Sequence, residues 1–128
     1  NTWRPTSAIL QVEDRQHPVT NNLPKTFKSS PNEWYCWEKD LRENKNIKIL
    51  LSIDSASFPL GTGPKEYEIW KEGYYPVTWT NKNYKMVYFN MGHNDIDFDT
   101  GNKEISFTFG NKIQDKLILF ALFWLTKR

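Results

Sequence analysis

The sequence predicts a mixed α/β domain in which several β-strands precede one helix. The chain has 128 residues, the length of one domain or of part of one. Its composition, 38% hydrophobic and 25% charged, is typical of a folded globular chain. Short apolar runs bounded by Gly, Pro and Asn recur along most of the chain, and one amphipathic segment closes it. Strand segments followed by a single helix predict an α/β or α+β layer rather than a helical bundle.

Four segments have the pattern of β-strands. In residues 7–14 (SAILQVED), an apolar run is ended by charged residues. Residues 46–54 (NIKILLSID) form the clearest strand, because their near-continuous apolar run is typical of a strand covered on both faces. Residues 74–83 and 85–92 predict two more strands, with a hairpin turn between them. The Pro- and Asn-rich residues 15–27 predict a connection.

The last segment predicts a helix. Asn111 has the character of an N-cap, and Gln114 stands at capping-box spacing. Its apolar stripe is typical of an amphipathic helix: Ile113, Leu117, Phe120, Ala121 and Trp124. The last two turns are apolar nearly all round, so we expect cover on more than one side.

The sequence predicts only one helix, which is fewer than a parallel sheet normally has. A doubly covered parallel strand normally occurs in βαβ units, with helices on both faces. Either the sheet is antiparallel with one helix on it, or the covering elements lie upstream of this sequence.

Composition excludes some functions. The net charge is +2 and the basic residues are scattered, which gives no indication of nucleic-acid binding. No apolar run approaches the ~20 residues that a membrane span needs. The single Cys36 excludes an internal disulfide, has no metal-site spacing, and is expected to be a buried, inert thiol. The chain begins without Met, as though its start lay upstream, so the compartment is left open.

Five segments in order resemble the C-terminal part of the trehalose-utilisation, or ThuA-like, family. They run from about Val12 to the end: VEDRQHPVTNNLP, NEWYCW, IKILLSID, YPVTWTNKNYKMVYFNMGHND and LILFALFWL. The resemblance implies a flavodoxin-like, doubly wound α/β sheet of the class I glutamine amidotransferase-like superfamily. Residues 1–128 would then be a single partial domain whose N-terminal half is absent. Because a half-domain exposes apolar faces, we expect a homo-oligomer or pairing with the missing half.

The resemblance also implies a role in using trehalose or a related glycoside, with His93 and Glu33 as candidate catalytic residues. The family's Gly-His element matches Gly92 and His93, and its acidic-Trp-Tyr element begins at Glu33. Asn32 stands where many members have Asp, which leaves one carboxylate instead of two. His93 could act as a general acid or base near neutral pH, with Glu33 orienting it or serving as partner acid. In the alternative, His93 only ends its strand and bonds to Glu33.

Other side chains are candidates for binding a sugar. Asn94 and Asp95 would hydrogen-bond its hydroxyls. Several aromatic rings would offer a face to it, although core packing is the commoner fate of each, and Trp124 is expected in the core. The ring candidates, of which Trp34 comes first because it follows Glu33, are Trp34, Tyr35, Trp37, Trp79 and Tyr84.

His17 is the remaining histidine. It could join His93 and Glu33 as a zinc ligand, but no HxH or HxxxH spacing supports a metal, and a structural role in the Pro-rich connection is favoured. Metal and cofactor are therefore left open. Cys36 is not at a nucleophile elbow, so cysteine chemistry is not predicted. The function hypotheses are a carbohydrate-processing enzyme, a non-catalytic carbohydrate-binding module of a larger protein, and a structural interaction unit.

Overall fold

The structure is a computed structural model that describes residues 5–57, 73–92, 100–101 and 109–127. These residues form five strands and one α-helix, with short 3-10 turns at Leu41–Glu43 and Ser55–Ser57. The elements in chain order are β1 (Ile9–Val12), β2 (Thr26–Lys28), β3 (Ile47–Ile53), β4 (Pro76–Asn81), β5 (Val87–Phe89) and α1 (Lys112–Thr126).

The five strands form one sheet in the order β2-β1-β3-β4-β5. Every pairing between these described strands is antiparallel. The predicted hairpin is confirmed, since β4 and β5 pair with Trp79 opposite Tyr88. The mixed α/β class is therefore confirmed, but the doubly wound parallel sheet is not. Antiparallel neighbours need no crossover helix, which explains how one helix suffices here.

The core lies between one face of this sheet and α1. Across the β1–β3 pair, Leu10 stands opposite Ile53 and Val12 opposite Leu51, so all four share one face. Leu117 and Ala121 of α1 belong to the same buried cluster as these residues. The last four residues of β3 are all buried, as its continuous apolar run predicts. Because successive residues of a strand face opposite sides of the sheet, both faces of β3 are covered at this end.

The N-terminus of α1 is tied to the end of β2. The Asn111 side chain accepts the backbone N–H groups of Ile113 and Gln114, at 3.0 and 3.3 Å, which confirms the predicted N-cap. The NH₂ group of the Asn111 side chain donates to the Lys28 carbonyl at 3.1 Å. Gln114, fully buried, accepts the Ser30 N–H at 2.6 Å, so the side chain expected in a capping box makes a tertiary contact.

Two local expectations were wrong. The predicted connection at 15–27 ends inside a strand, because β2 begins at Thr26 and pairs with β1 over three residues. Cys36, expected to be buried, is exposed. The chain around it has no regular secondary structure, and it is the neighbouring Trp34 that enters the core.

The outer face of α1 is apolar over its last two turns. Four of its large side chains are well exposed: Leu119 (49%), Leu122 (53%), Phe123 (61%) and Leu125 (38%). The expectation that a second copy or further polypeptide covers this face stays a prediction. In the described part of the chain, no helix combines the length and the apolar character that crossing a bilayer requires.

Two leucines of α1 allow a matched test of this packing. Leu117→Ala should lower the free energy of unfolding by about 2–5 kcal/mol, because it leaves a cavity in the core. Leu119→Ala, on the exposed face, should change it by no more than about 0.5 kcal/mol. Urea unfolding of both variants gives the comparison. A large cost for Leu119→Ala, with a dimer mass in light scattering, would instead show that this face is covered in solution.

Candidate functional site

Glu33 lies where two of the sequence motifs meet. Its backbone N–H donates to the carbonyl of Gly92 at 3.0 Å, which joins the Glu-Trp-Tyr segment to the segment just after β5. The preceding residue, Asn32, forms an isolated antiparallel bridge with Thr6, with N–H···O distances of 3.0 and 3.1 Å. Gly92 has φ of 143°, a conformation that residues with a Cβ rarely adopt, as expected from its position at a sharp strand end.

The side chain of Glu33 is buried beside an exposed phenol. Glu33 is only 3% exposed, whereas Tyr35 is 44% exposed. The Tyr35 hydroxyl donates to Oε2 of Glu33 at 2.6 Å. This hydrogen bond, with smaller contributions from burial and from the charge of Glu33, raises the pKa of Tyr35 to about 12. The two side chains form a polar pair that connects a buried carboxylate to the surface.

The structure places the side chains of Glu33 and Tyr35 in contact. The other predicted site residues of these motifs, His93, Asn94 and Asp95, lie outside the described residues. Gly92, the last described residue before them, is the one that bonds to the Glu33 backbone. His93 therefore follows, in sequence, a residue that contacts Glu33.

Trp34 does not offer a ring to a ligand in this structure. It is fully buried, and its indole N–H donates to the Thr6 carbonyl at 2.7 Å. A buried indole with its N–H paired is typical of a core residue. The core-packing alternative thus describes Trp34, which anchors the segment between Glu33 and Tyr35.

A cluster of three aromatic rings lies on the β4–β5 hairpin. Trp79 stacks on Tyr88, with centroids 4.0 Å apart and planes at 18°, and Trp37 packs its edge against both. Trp79 is 8% exposed, so Tyr88, at 36%, is the outer ring of the stack. Trp37, two residues after Tyr35, has its ring centroid 6.0 Å from that of Tyr88, so the cluster lies beside the segment that carries Tyr35.

Sequence reasoning missed the outward position of Tyr88. The signal that could have found it is the hairpin register, because Trp79 and Tyr88 are directly opposite across the β4–β5 pair and so share a face. Tyr84, another ring candidate, is 63% exposed at the hairpin turn.

His17 lies against the helix instead of beside Glu33. Its Nδ1 accepts the Val19 N–H at 3.3 Å, and its ring meets the edge of Trp124 with centroids 4.7 Å apart. Burial lowers the pKa of His17; the nearby Asp14 opposes this shift and Lys48 adds to it. Asp14 and Lys48 form an ion pair at 2.6 Å. These contacts agree with the structural role favoured by its Pro-rich context, which stays a prediction.

No three His, Cys, Asp or Glu side chains come close enough to hold a metal ion within the part of the chain that the structure describes. The zinc set of His17, His93 and Glu33 includes a residue beyond that part, so it stays a prediction.

Comparison with known families agrees with the family resemblance found in the sequence. A family model described as "ThuA: Trehalose utilisation" matches residues 2–105. The chain belongs to the ThuA family.

Two solved ThuA-like structures resemble this chain over nearly its whole length. One, from Bacteroides uniformis, is 33% identical with a TM-score of 0.75, over 99% of this chain and 46% of its own length. The other, from Parabacteroides merdae, is 22% identical with a TM-score of 0.63, over 98% of this chain and 40% of its own. The chain thus spans less than half the length of these ThuA-like proteins. A search of curated proteins found no match.

The His17 contact predicts a pH dependence of stability. Because the pKa of folded His17 lies below the usual 6.5, its stabilising effect is present above pH 6.5 and is lost as the pH falls through the folded value. We expect His17→Gln to lose less stability than the wild type between pH 7.5 and pH 5, as measured by urea unfolding. His93→Gln is the control for the other histidine. Equal pH slopes in wild type and His17→Gln would contradict this.

The Tyr35–Glu33 bond predicts a late phenol titration. Tyr35 should ionise near pH 12, and its bond should stabilise the fold fully below pH 10 and fade as the pH rises through 12. In Glu33→Gln, that step of the ultraviolet tyrosinate titration should move toward the ordinary value of 10.0. Tyr74, also raised to about 12 but mainly by burial, should keep its late step, and Tyr74→Phe identifies it. An unchanged titration in Glu33→Gln would contradict the pairing.

Proposed function

We propose that this ThuA-family chain carries a carbohydrate site, for trehalose or a related glycoside, centred on Glu33 and the Gly92–His93 segment. The observation that carries the proposal is the hydrogen bond from the Glu33 backbone to Gly92, which joins the two motifs at one place. The buried Glu33 carboxylate with its half-exposed Tyr35 partner supplies a polar group of the kind that acid–base chemistry uses.

In this proposal, His93 and Glu33 are the acid–base residues. An imidazole changes charge near neutral pH, and a carboxylate can orient it or exchange a proton with it. Asn94 and Asp95 would hydrogen-bond sugar hydroxyls beside them. His17 lies against Trp124 and is not included.

Aromatic rings near this pair supply the apolar surface that a sugar ring needs. Tyr35 and Tyr88 are the exposed rings of this group, and the buried Trp79 stacks on Tyr88. Trp34 is left out because it is fully buried. The exposed rings favour the second candidate function, a non-catalytic carbohydrate-binding module, as much as they favour an enzyme.

The architecture that the family implies is part of the same proposal. The ThuA-like structure from Bacteroides uniformis has more than half its length outside the region matched by this chain. Parallel strands of a doubly wound, glutamine amidotransferase-like sheet would belong to such additional length, and residues 1–128 would be one part of that domain.

Binding and turnover should be measured together on wild type and His93→Ala, with Tyr74→Phe as control. We expect the wild type to bind trehalose in calorimetry and to alter it, as followed by proton NMR of the sugar. If His93→Ala binds but does not react, the enzyme is supported. If His93→Ala loses binding and the wild type shows no turnover, the binding module is supported. Wild-type protein that neither binds nor alters trehalose, glucose or a related glycoside would refute the proposed function.

A further inference from the structure

The Tyr35 hydroxyl donates a hydrogen bond to the Glu33 carboxylate over 2.6 Å. A phenol–carboxylate bond of this kind is charge-assisted when the carboxylate is ionised. A buried carboxylate is unfavourable unless hydrogen bonds compensate its lost hydration. A phenol that donates to it favours its ionised form.

We propose that Tyr35 is a positioning residue for Glu33, whose hydroxyl holds Oε2 so that the carboxylate meets the ligand as a charged hydrogen-bond acceptor. The inference rests on the proposed function and deepens it. A fixed anionic acceptor recognises neutral ligands that donate hydrogen bonds, such as the neighbouring hydroxyls of a pyranose.

The backbone on each side of this pair is fixed, as positioning requires. Asn32 is bridged to Thr6, Glu33 is bonded to Gly92, and the buried Trp34 is bonded to the Thr6 carbonyl. Tyr35 therefore projects from an anchored segment, and its hydroxyl reaches a defined oxygen of Glu33. Because the pKa of Tyr35 is raised to about 12, the phenol keeps its proton and remains a donor at any pH near neutrality.

A double-mutant cycle on trehalose binding separates positioning from direct contact. The proteins are wild type, Tyr35→Phe, Glu33→Gln and the double variant. Tyr74→Phe is the control, because Tyr74 packs against Arg42 and is not a candidate binding residue. Tyr35→Phe should weaken trehalose binding about tenfold, the size expected for one charge-assisted bond. In the Glu33→Gln background, the same change should have little further effect, because no charged acceptor remains to be positioned. Tyr74→Phe should bind as the wild type does.

Two results would overturn the inference. An equal loss from Tyr35→Phe in both backgrounds would mean that the Tyr35 hydroxyl bonds to the ligand instead of positioning Glu33. No loss in either would mean that Tyr35 has no part in recognition.

If the wild type does not bind trehalose, the proposed function fails, and the pairing is decided by two readouts that need no ligand. The unfolding free energies of the four proteins at pH 8 should be non-additive, and the tyrosinate step lost in Tyr35→Phe should be the one that Glu33→Gln moves. Additive free energies with an unmoved step would reject positioning independently of any carbohydrate.

Discussion

The geometry of the candidate site depends on how one short segment, residues 28–35, is tied to three other parts of the chain. The Lys28 carbonyl accepts a hydrogen bond from the Asn111 side chain, and the Ser30 N–H donates one to the Gln114 side chain, both at the start of α1. Asn32 is bridged to Thr6, and Glu33 is bonded to Gly92. Within the described residues this segment is not a regular strand beyond Lys28, so its position follows from these separate bonds. The helix cap, the sheet and the site are thereby one connected unit.

This connection explains why Glu33 can be buried. An isolated carboxylate in a low-dielectric interior is costly, and proteins tolerate it where hydrogen bonds are provided. Here a tyrosine that is almost half exposed provides one, and the anchored backbone keeps the two side chains in register. The cost of burial is thus offset by a contact that also leads from the carboxylate to the surface. Such partly buried, specifically paired titratable groups are concentrated at functional sites.

Features governed by local chemistry could be predicted from the sequence. The N-cap at Asn111 depends on residues within one turn, and the β4–β5 hairpin on its short polar turn. The buried run of β3 was predictable, but its apolar pattern fits a parallel or an antiparallel central strand equally well. Features set by distant partners could not be predicted in this way. β2 has only Phe27 buried and is defined by its pairing with β1, and the exposed Cys36 lies in a segment without regular secondary structure.

The same limit applies to the site. The motif Glu33-Trp34-Tyr35 indicated a candidate place for the site, but not which of its members faces inward. Trp34 finds a buried carbonyl for its indole N–H, so it fills the core, and Tyr35 is left to face solvent and bond to Glu33. Likewise Trp79 is covered because register places Tyr88 on it. Pairings of this kind depend on three-dimensional register, which a single sequence states only indirectly.

The two ends of α1 have different chemistry, and this allows the site to be studied apart from the rest of the fold. At its start, the side-chain amides of Asn111 and Gln114 bond to residues 28–30 and so support the segment that carries the Glu33–Tyr35 pair. At its other end, Trp124 packs on His17, and Lys85 donates to the carbonyls of Trp124 and Lys127. The pKa of His17 is lowered, whereas that of Tyr35 is raised to about 12. Acid therefore weakens the His17 contact while the Tyr35 phenol keeps its proton, and strong alkali acts on Tyr35 while His17 is already neutral. Changes of pH therefore act on the His17–Trp124 contact and on the Tyr35–Glu33 pair in different pH ranges.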